Sequence, residues 1–255
     1  IQGGPILLTG TSSLPQVTHD ELTRLRPQRI VVVGGTVAVA STVATALEAY
    51  TDGPVARLAG ADRYATAAAV SRGVFASGVP AAFVATGANF PDALSAGPAA
   101  VKIRGPVLLT ARDSTSQALR DELTRLKPQK IYLLGGTSAV SDAVKQTLQR
   151  YTTTPVVRLS GADRYATAAA VSKAFFSRPP AVHLATGMNF PDALSAVPVA
   201  GRSGAPILLV SQSSLPSPVR TELTRLFPPR CYLIGGTTVI SNTVVSQLNA
   251  LLGKP

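Results

Sequence analysis

Tryptophan is absent from this chain, cysteine and methionine occur once each, and there are only two histidines. One thiol excludes a disulfide scaffold. Two histidines and one cysteine cannot assemble a His/Cys metal cluster, so no metal is expected. Cys231 lies in the apolar run Cys231-Tyr232-Leu233-Ile234, where a thiol ordinarily packs as a small hydrophobe. Scarce cysteine also fits export. No apolar run is long enough for a membrane-crossing helix. The chain opens at Ile1 with neither Met nor a basic-then-apolar leader, and so reads as mature, trimmed or recombinant sequence.

The signatures of catalysis are missing too. There is no Gly-x-Ser-x-Gly elbow and no phosphate-cradling Gly-x4-Gly-Lys-Ser/Thr. Gly-x-Gly-x-x-Gly is absent, which leaves a dinucleotide cofactor without support. His19 and His183 fall at different places in the pattern described next. Asp62 and Asp92 could pair for acid/base work, but no nucleophile, metal or histidine accompanies them. A non-catalytic protein without a cofactor is expected.

What the chain has instead is repetition. Gly60-Ala61-Asp62-Arg63-Tyr64 recurs at Gly161 to Tyr165, and Asn89-Phe90-Pro91-Asp92-Ala93-Leu94-Ser95-Ala96 recurs from Asn189 to Ala196. Pro-Ile/Val-Leu-Leu starts at Pro5, Pro106 and Pro206, Glu-Leu-Thr-Arg-Leu at Glu21, Glu122 and Glu222, and Gly-Gly-Thr at Gly34, Gly135 and Gly235. Every offset is 100 or 101 residues. A period this long is a small domain rather than a solenoid turn. The chain divides into the second half of a first repeat (1–53), a second repeat (54–153) and a third (154–255). The unmatched half would leave apolar edges open, so a second polypeptide or a cleaved fragment is a candidate partner for residues 1–53.

Within a repeat the pattern is strand–helix four times over. Continuous apolar strands such as Ala81-Ala82-Phe83-Val84-Ala85, Pro106 to Thr110 and Lys130 to Leu134 mark a parallel sheet buried on both faces. Helices are expected after Asp62, Asn89, Ser114 and Ser138, and a three-layer, doubly wound α/β unit follows. The half-repeat is expected to hold two strands, at Pro5 and at Arg29–Val33, and two helices.

In such units ligands bind where loops follow strand C-termini. Those loops carry Thr86, Gly87 and Asn89, Thr186, Gly187 and Asn189, Gly135, Gly136 and Thr137, and Gly235, Gly236 and Thr237. Glycine there either admits a ligand to the backbone or makes a left-handed turn before a helix cap. Asp62 and Asp163 suit helix capping, with Tyr64 and Tyr165 beside them. Arg57, Arg63, Arg158 and Arg164 could hold an anionic group, pair with Asp92 or Asp192, or lock one unit against the next. Phe90 and Phe190 read as plugs in the core or between units.

The net charge is +11, and arginine supplies 18 of the 24 cations. Residues 1–50 are balanced, so the excess lies in the two full repeats. This is either a soluble basic surface or a match to an acidic polymer, nucleic acid or cell-surface glycan.

Arg-Leu-x-Gly-Ala-Asp-Arg-Tyr, then Ala-Thr-Gly-x-Asn-Phe-Pro-Asp-Ala-Leu-Ser, then Pro-Val-Leu-Leu-Thr and Leu-Gly-Gly-Thr-Ser-Ala-Val-Ser resembles the bacterial cell wall binding repeat 2 family. The resemblance covers residues 57–150 and 158–250, and residues 5–48 match the family's second half. It implies tandem Toprim-like α/β units arranged about a pseudo-threefold axis, secreted to the Gram-positive surface. There they anchor proteins to an anionic wall glycan or teichoic-type polymer, which leaves nucleic acid a poor candidate. Two other functions stay open: a hydrolase or nucleotide-acting enzyme at the strand C-terminal edge, and a secreted interaction scaffold. Against the enzyme, the Asp-x-Asp metal cluster of Toprim catalysis does not occur.

Overall fold

A computed structural model describes residues 3–253. Helices and strands alternate from end to end, and all the paired strands are parallel. The first unit contains α1 (Gln16–Leu25), β1 (Ile30–Val33), α2 (Ser41–Leu47) and β2 (Val55–Leu58). The second follows with α3 (Arg63–Arg72), β3 (Ala82–Thr86), α4 (Pro91–Ile103), β4 (Val107–Thr110), α5 (Gln117–Leu126), β5 (Ile131–Leu134), α6 (Asp142–Leu148) and β6 (Val157–Leu159). The third has α7 (Arg164–Phe175), β7 (Val182–Thr186), α8 (Pro191–Arg202), β8 (Ile207–Val210), α9 (Ser217–Leu226), β9 (Cys231–Ile234) and α10 (Asn242–Leu252). The helix expected from Ser138 starts late, because residues 137–139 form a turn and α6 begins at Asp142.

The strand order in the second unit is β4-β3-β5-β6, and in the third β8-β7-β9. In the first, β1 pairs with β2 alone. Sheets and sequence period are thus out of phase by one strand. β2 opens the second repeat in sequence but completes the first sheet, with Val55 to Leu58 in register with Ile30 to Val33. β6 opens the third repeat but completes the second sheet.

Alternation along the strands builds three layers. On β3, Ala82 and Val84 face α5 and α6, where Leu119, Leu123, Leu126, Val144 and Leu148 close one core. Phe83 and Ala85 face the other way, toward Ala96, Ala99 and Ala100 of α4. All five β3 residues are buried, as a central strand covered on both faces requires. The α4 face does not end within its own unit. Its core runs on through Val171, Phe176, Val182 and Leu184 of the third unit. Helix α4 packs along α7, α8 and β8.

One expectation fails. The apolar run at Pro5 forms no strand. Its counterparts β4 and β8 hydrogen-bond to β3 and β7, and the first unit has no equivalent of those strands among the described residues. An extended apolar segment without a neighbour has no ladder to join.

The repeated Glu-Leu-Thr-Arg-Leu has a structural explanation. Glu122 is fully buried; its Oε1 accepts from Ser71 Oγ on α3 and from Arg125 Nη2, both at 2.6 Å, and its Oε2 from Arg125 Nε at 2.9 Å. Glu222 repeats this with Ser172 and Arg225, each at 2.6 Å. Burial pushes the Glu122 carboxyl upward, but the bonds from Arg125 and Ser71 outweigh it and the net displacement is down. The pair of bonds clamps α3 to α5 and α7 to α9. Among the described residues Glu21 pairs with Arg24, at 2.6 Å and in solvent.

Candidate functional site

The strand C-termini of the second and third units carry the same construction. Asp62 caps α3 by accepting from the Ala65 amide at 2.7 Å, and Asp163 caps α7 from Ala166 at 2.7 Å. The cap fixes the next two side chains. Arg63 Nη1 donates to the Gly87 carbonyl and Arg164 Nη1 to the Gly187 carbonyl, each at 2.5 Å. Tyr64 and Tyr165 lie against the same glycines. A Cβ on Gly87 would sit 2.6 Å from Tyr64 Cε1, and one on Gly187 2.8 Å from Tyr165 Cε1. Thr86 and Thr186 turn the chain by accepting from the amides of Ala88 and Met188, and Asn189 Oδ1 accepts from the Phe190 amide.

The Gly-Gly-Thr loops stand beside this assembly. Gly135 and Gly235 have φ of +93° and +122°, and a Cβ there would come within 2.4 Å of Asp92 Oδ2 and 2.6 Å of Asp192 Oδ2. The first glycine is therefore fixed by backbone conformation and by the neighbouring carboxylate. Gly136 has nothing within 4 Å of its missing Cβ, and Thr137, Gly236 and Thr237 are open to solvent.

The four arginines do not form one cluster. Arg158 is absorbed by the strand end: Nη1 donates to the carbonyls of Gly135 and Val140 at 2.8 Å, and Nη2 to Asp142 Oδ1 at 3.0 Å. Arg57 makes the same contact with Gly34 at 2.7 Å, but Ser41 stands where the acid would be and its Nη2 is buried without a partner. Arg164 reaches across units and acts on Asp92, whose carboxyl is raised by burial and only partly brought back by that charge. Arg158 is thus bonded within the second unit's strand ends, while Arg164 stays bonded to Gly187 of the third unit and reaches Asp92 only through its charge. Phe90 and Phe190 meet there with ring centroids 5.8 Å apart.

The motif Asn-Phe-Pro-Asp-Ala-Leu-Ser-Ala pointed to a helix at a tight helix or unit contact, but not to the residues that make it. A Cβ on Gly97 of α4 would lie 2.7 Å from Val197 of α8, and one on Gly201 of α8 would lie 2.7 Å from Val101 of α4. Position 97 is glycine where 197 is valine, and 101 is valine where 201 is glycine. That inversion, between otherwise matching copies, was the available signal.

Chemically, this edge offers guanidinium and amide donors to an anionic or hydroxyl-rich ligand. His183 is buried in β7, stacked on Tyr232 at 5.2 Å, and burial lowers its pKa, so it is remote from proton transfer at the edge. Among the described residues no group of three or more His, Cys, Asp or Glu is placed to hold a metal, and no helix is long and apolar enough to cross a membrane.

Comparison with known proteins places these features in a family. The model of Cell wall binding domain 2 matches residues 57–145 and 158–245. The chain is 32% identical over 200 residues to the N-acetylmuramoyl-L-alanine amidase LytC of Bacillus subtilis, covering 78% of this chain and 40% of that protein. It is 28% identical over 245 residues to the amidase enhancer of the same organism, covering 96% of this chain and 33% of that one. Among solved structures, Cwp6 from Clostridium difficile superimposes with a TM-score of 0.91 at 25% identity, over 99% of this chain and 41% of its own. Cwp8 from the same organism gives 0.85 at 24%, over 98% and 43%, a likeness of fold.

Proposed function

Because this chain belongs to the cell wall binding domain 2 family, we propose that it is a non-catalytic anchoring module that holds an anionic secondary polymer of the cell wall. The observation that carries the reading is Arg164, which is bonded to the Gly187 carbonyl of the third unit and acts on the buried Asp92 of the second, beside the exposed Thr137. The site therefore lies at an inter-repeat surface. Arg63 and the Thr86–Asn89 loop extend it, and their third-unit counterparts repeat it. A polymer crossing several such sites gains avidity from effective concentration rather than from any single contact. A net charge of +11 adds long-range attraction.

The reading includes residence at the wall surface after secretion. It also includes a pseudo-threefold arrangement of Toprim-like units. Contact between equivalent positions, 90 with 190 and 97 with 197, fits a rotational relation between successive units.

The test is co-sedimentation with purified Gram-positive walls before and after acid extraction of their anionic polymers. Retention by intact walls and loss after extraction are expected. Equal retention by extracted walls would sink the polymer as ligand. Replacing Arg63 and Arg164 by Gln should cut retention of correctly folded protein by about tenfold, on the order of one charge-assisted contact per site.

A further inference from the structure

The two full units differ at the edge where their strands begin. In the second, the loop that leads into β3 is stitched to the loop between α5 and β5. The Gly78 amide donates to the Leu126 carbonyl at 2.7 Å, and the Gln129 amide to the Val79 carbonyl at 3.1 Å. Phe75 and Phe176 mark equivalent points, since Arg125 and Arg225 each donate to the carbonyl there. Beyond them, residues 177–181 replace 76–81 with one residue fewer, and read Ser-Arg-Pro-Pro-Ala instead of Ala-Ser-Gly-Val-Pro-Ala. Pro229 stands where Gln129 does and has no amide hydrogen to give. Among the described residues the third unit makes neither stitching bond. Its two loops part, and a cavity of about 630 Å³ lies between them at the start of β7 and β9.

Pro179, Pro180 and Pro229 line this cavity with Phe227, Arg178 and Arg225. Phe227 is 72% exposed and takes no part in the hydrophobic cores. It ends α9 in the left-handed region, at φ +41°, where the first and second units place Arg26 at +42° and Lys127 at +46°. A long cation at that position keeps its head in water, whereas a phenyl ring there leaves an apolar face uncovered. Arg178 is exposed on the shortened loop, and its counterpart loop, residues 76–81, carries no charge. Arg225 is already paired with the buried Glu222 at 2.6 Å. Arg178 is therefore the charge that the cavity offers, and among the described residues no acid lines it.

Apolar ring faces beside one guanidinium match a sugar ring that carries an acid. The C–H face of a pyranose covers the phenyl and pyrrolidine rings, and a carboxylate or phosphate takes the planar donors of Arg178. The volume is that of a small-ligand site, with apolar walls and few polar groups. We propose that the cavity between residues 177–180 and Phe227 is a binding subsite for an anionic saccharide. The second unit, with its loops bonded together, lacks it. The subsite lies at the opposite edge of the sheet from the loops of Thr137 and Gly187, so it does not depend on the strand-end reading.

The probe is glucose 1-phosphate, titrated into the nitrogen-15-labelled 255-residue chain and followed by amide chemical shifts. Saturable shifts are expected at Ser177, Arg178, Leu226 and Phe227, with a Kd on the order of 1 mM for a single sugar. Methyl glucoside, which lacks the acid, should bind at least about tenfold more weakly. Phe227→Lys installs the residue that the second unit holds at nearly the same backbone angle, and Arg178→Gln removes the charge. Both side chains are exposed, so the variant spectra should overlay the parent's away from the cavity. Each variant should weaken binding at least about tenfold. No saturable shift at these amides, equal binding of methyl glucoside, or variants that bind as the parent does would overturn the proposal. Shifts confined to Thr137 and Gly187 would place the sugar at the strand C-termini and overturn it too. A decaproline peptide that displaces glucose 1-phosphate from the same amides at lower concentration would assign the cavity to proline-rich peptides instead, and so overturn it.

Discussion

Glu122 is a carboxylate with no exposed surface, held by bonds to Ser71 and Arg125, with Arg72 Nε 3.5 Å away. Replacing it by Gln leaves Arg125 uncompensated at the α3–α5 contact. A loss of about 3 kcal/mol in denaturant unfolding is expected, in the range for breaking a buried pair. Glu21→Gln, on an exposed pair, should stay within about 0.5 kcal/mol. Because the folded Glu122 pKa is depressed, its contribution is complete above the ordinary carboxylate value and is lost as pH falls through the folded one. E122Q should therefore flatten the acid limb of the stability profile. His183 works on a different window. Burial lowers its pKa, so below the ordinary histidine value the unfolded chain takes up a proton that the folded chain resists, and stability falls as pH drops. The matching position in the second unit is Phe83, packed on Tyr132 at 5.2 Å as His183 is on Tyr232. His183→Phe should raise the melting temperature at about pH 5 more than at about pH 8, on either side of the histidine range. At this scale the sequence was legible where one residue has one local task, as with the caps Asp62 and Asp163. It was silent on Glu122, because the Ser71 that explains it lies 51 positions away.

Helices α4 and α8 meet through an exchange of size, valine from each fitting over glycine of the other. Gly97→Val alone should destabilise the junction by about 1–3 kcal/mol through overpacking. Adding Val197→Gly restores the exchange with the partners reversed, and the double variant should recover most of the loss in a thermal melt. Non-additivity is the expected signature of direct contact. The expected strands and helices appear within a few residues of their sequence positions, because buried parallel strands and capped helices declare themselves locally. The run at Pro5 did not become a strand, because strand formation depends on a neighbour that the run itself does not encode. The strand order β4-β3-β5-β6 was likewise out of reach, since pairing joins segments tens of residues apart.

Across the whole molecule, charge is the property with the longest reach. If arginines carry the wall contact, retention should weaken steeply between about 0.1 M and 1 M salt, as the screening length drops from about 10 Å to about 3 Å. Pelleting assays across that range check it, and salt-independent retention would point to hydroxyl recognition instead. The arginines were visible in the sequence, but their division of labour was not. Arg57 and Arg158 look alike in composition and motif, yet Asp142 occupies Arg158 while Ser41 leaves Arg57 without that bond.

The one-strand offset between sequence repeats and sheets has a mechanical side. The covalent path from the second unit to the third runs through β6, which is hydrogen-bonded to β5 from Tyr132 to Leu134. Tension on the chain therefore loads β6 along its own length, so its ladder bonds are sheared together instead of being peeled one by one. A junction of this kind passes tension from one unit to the next without a slack hinge between them.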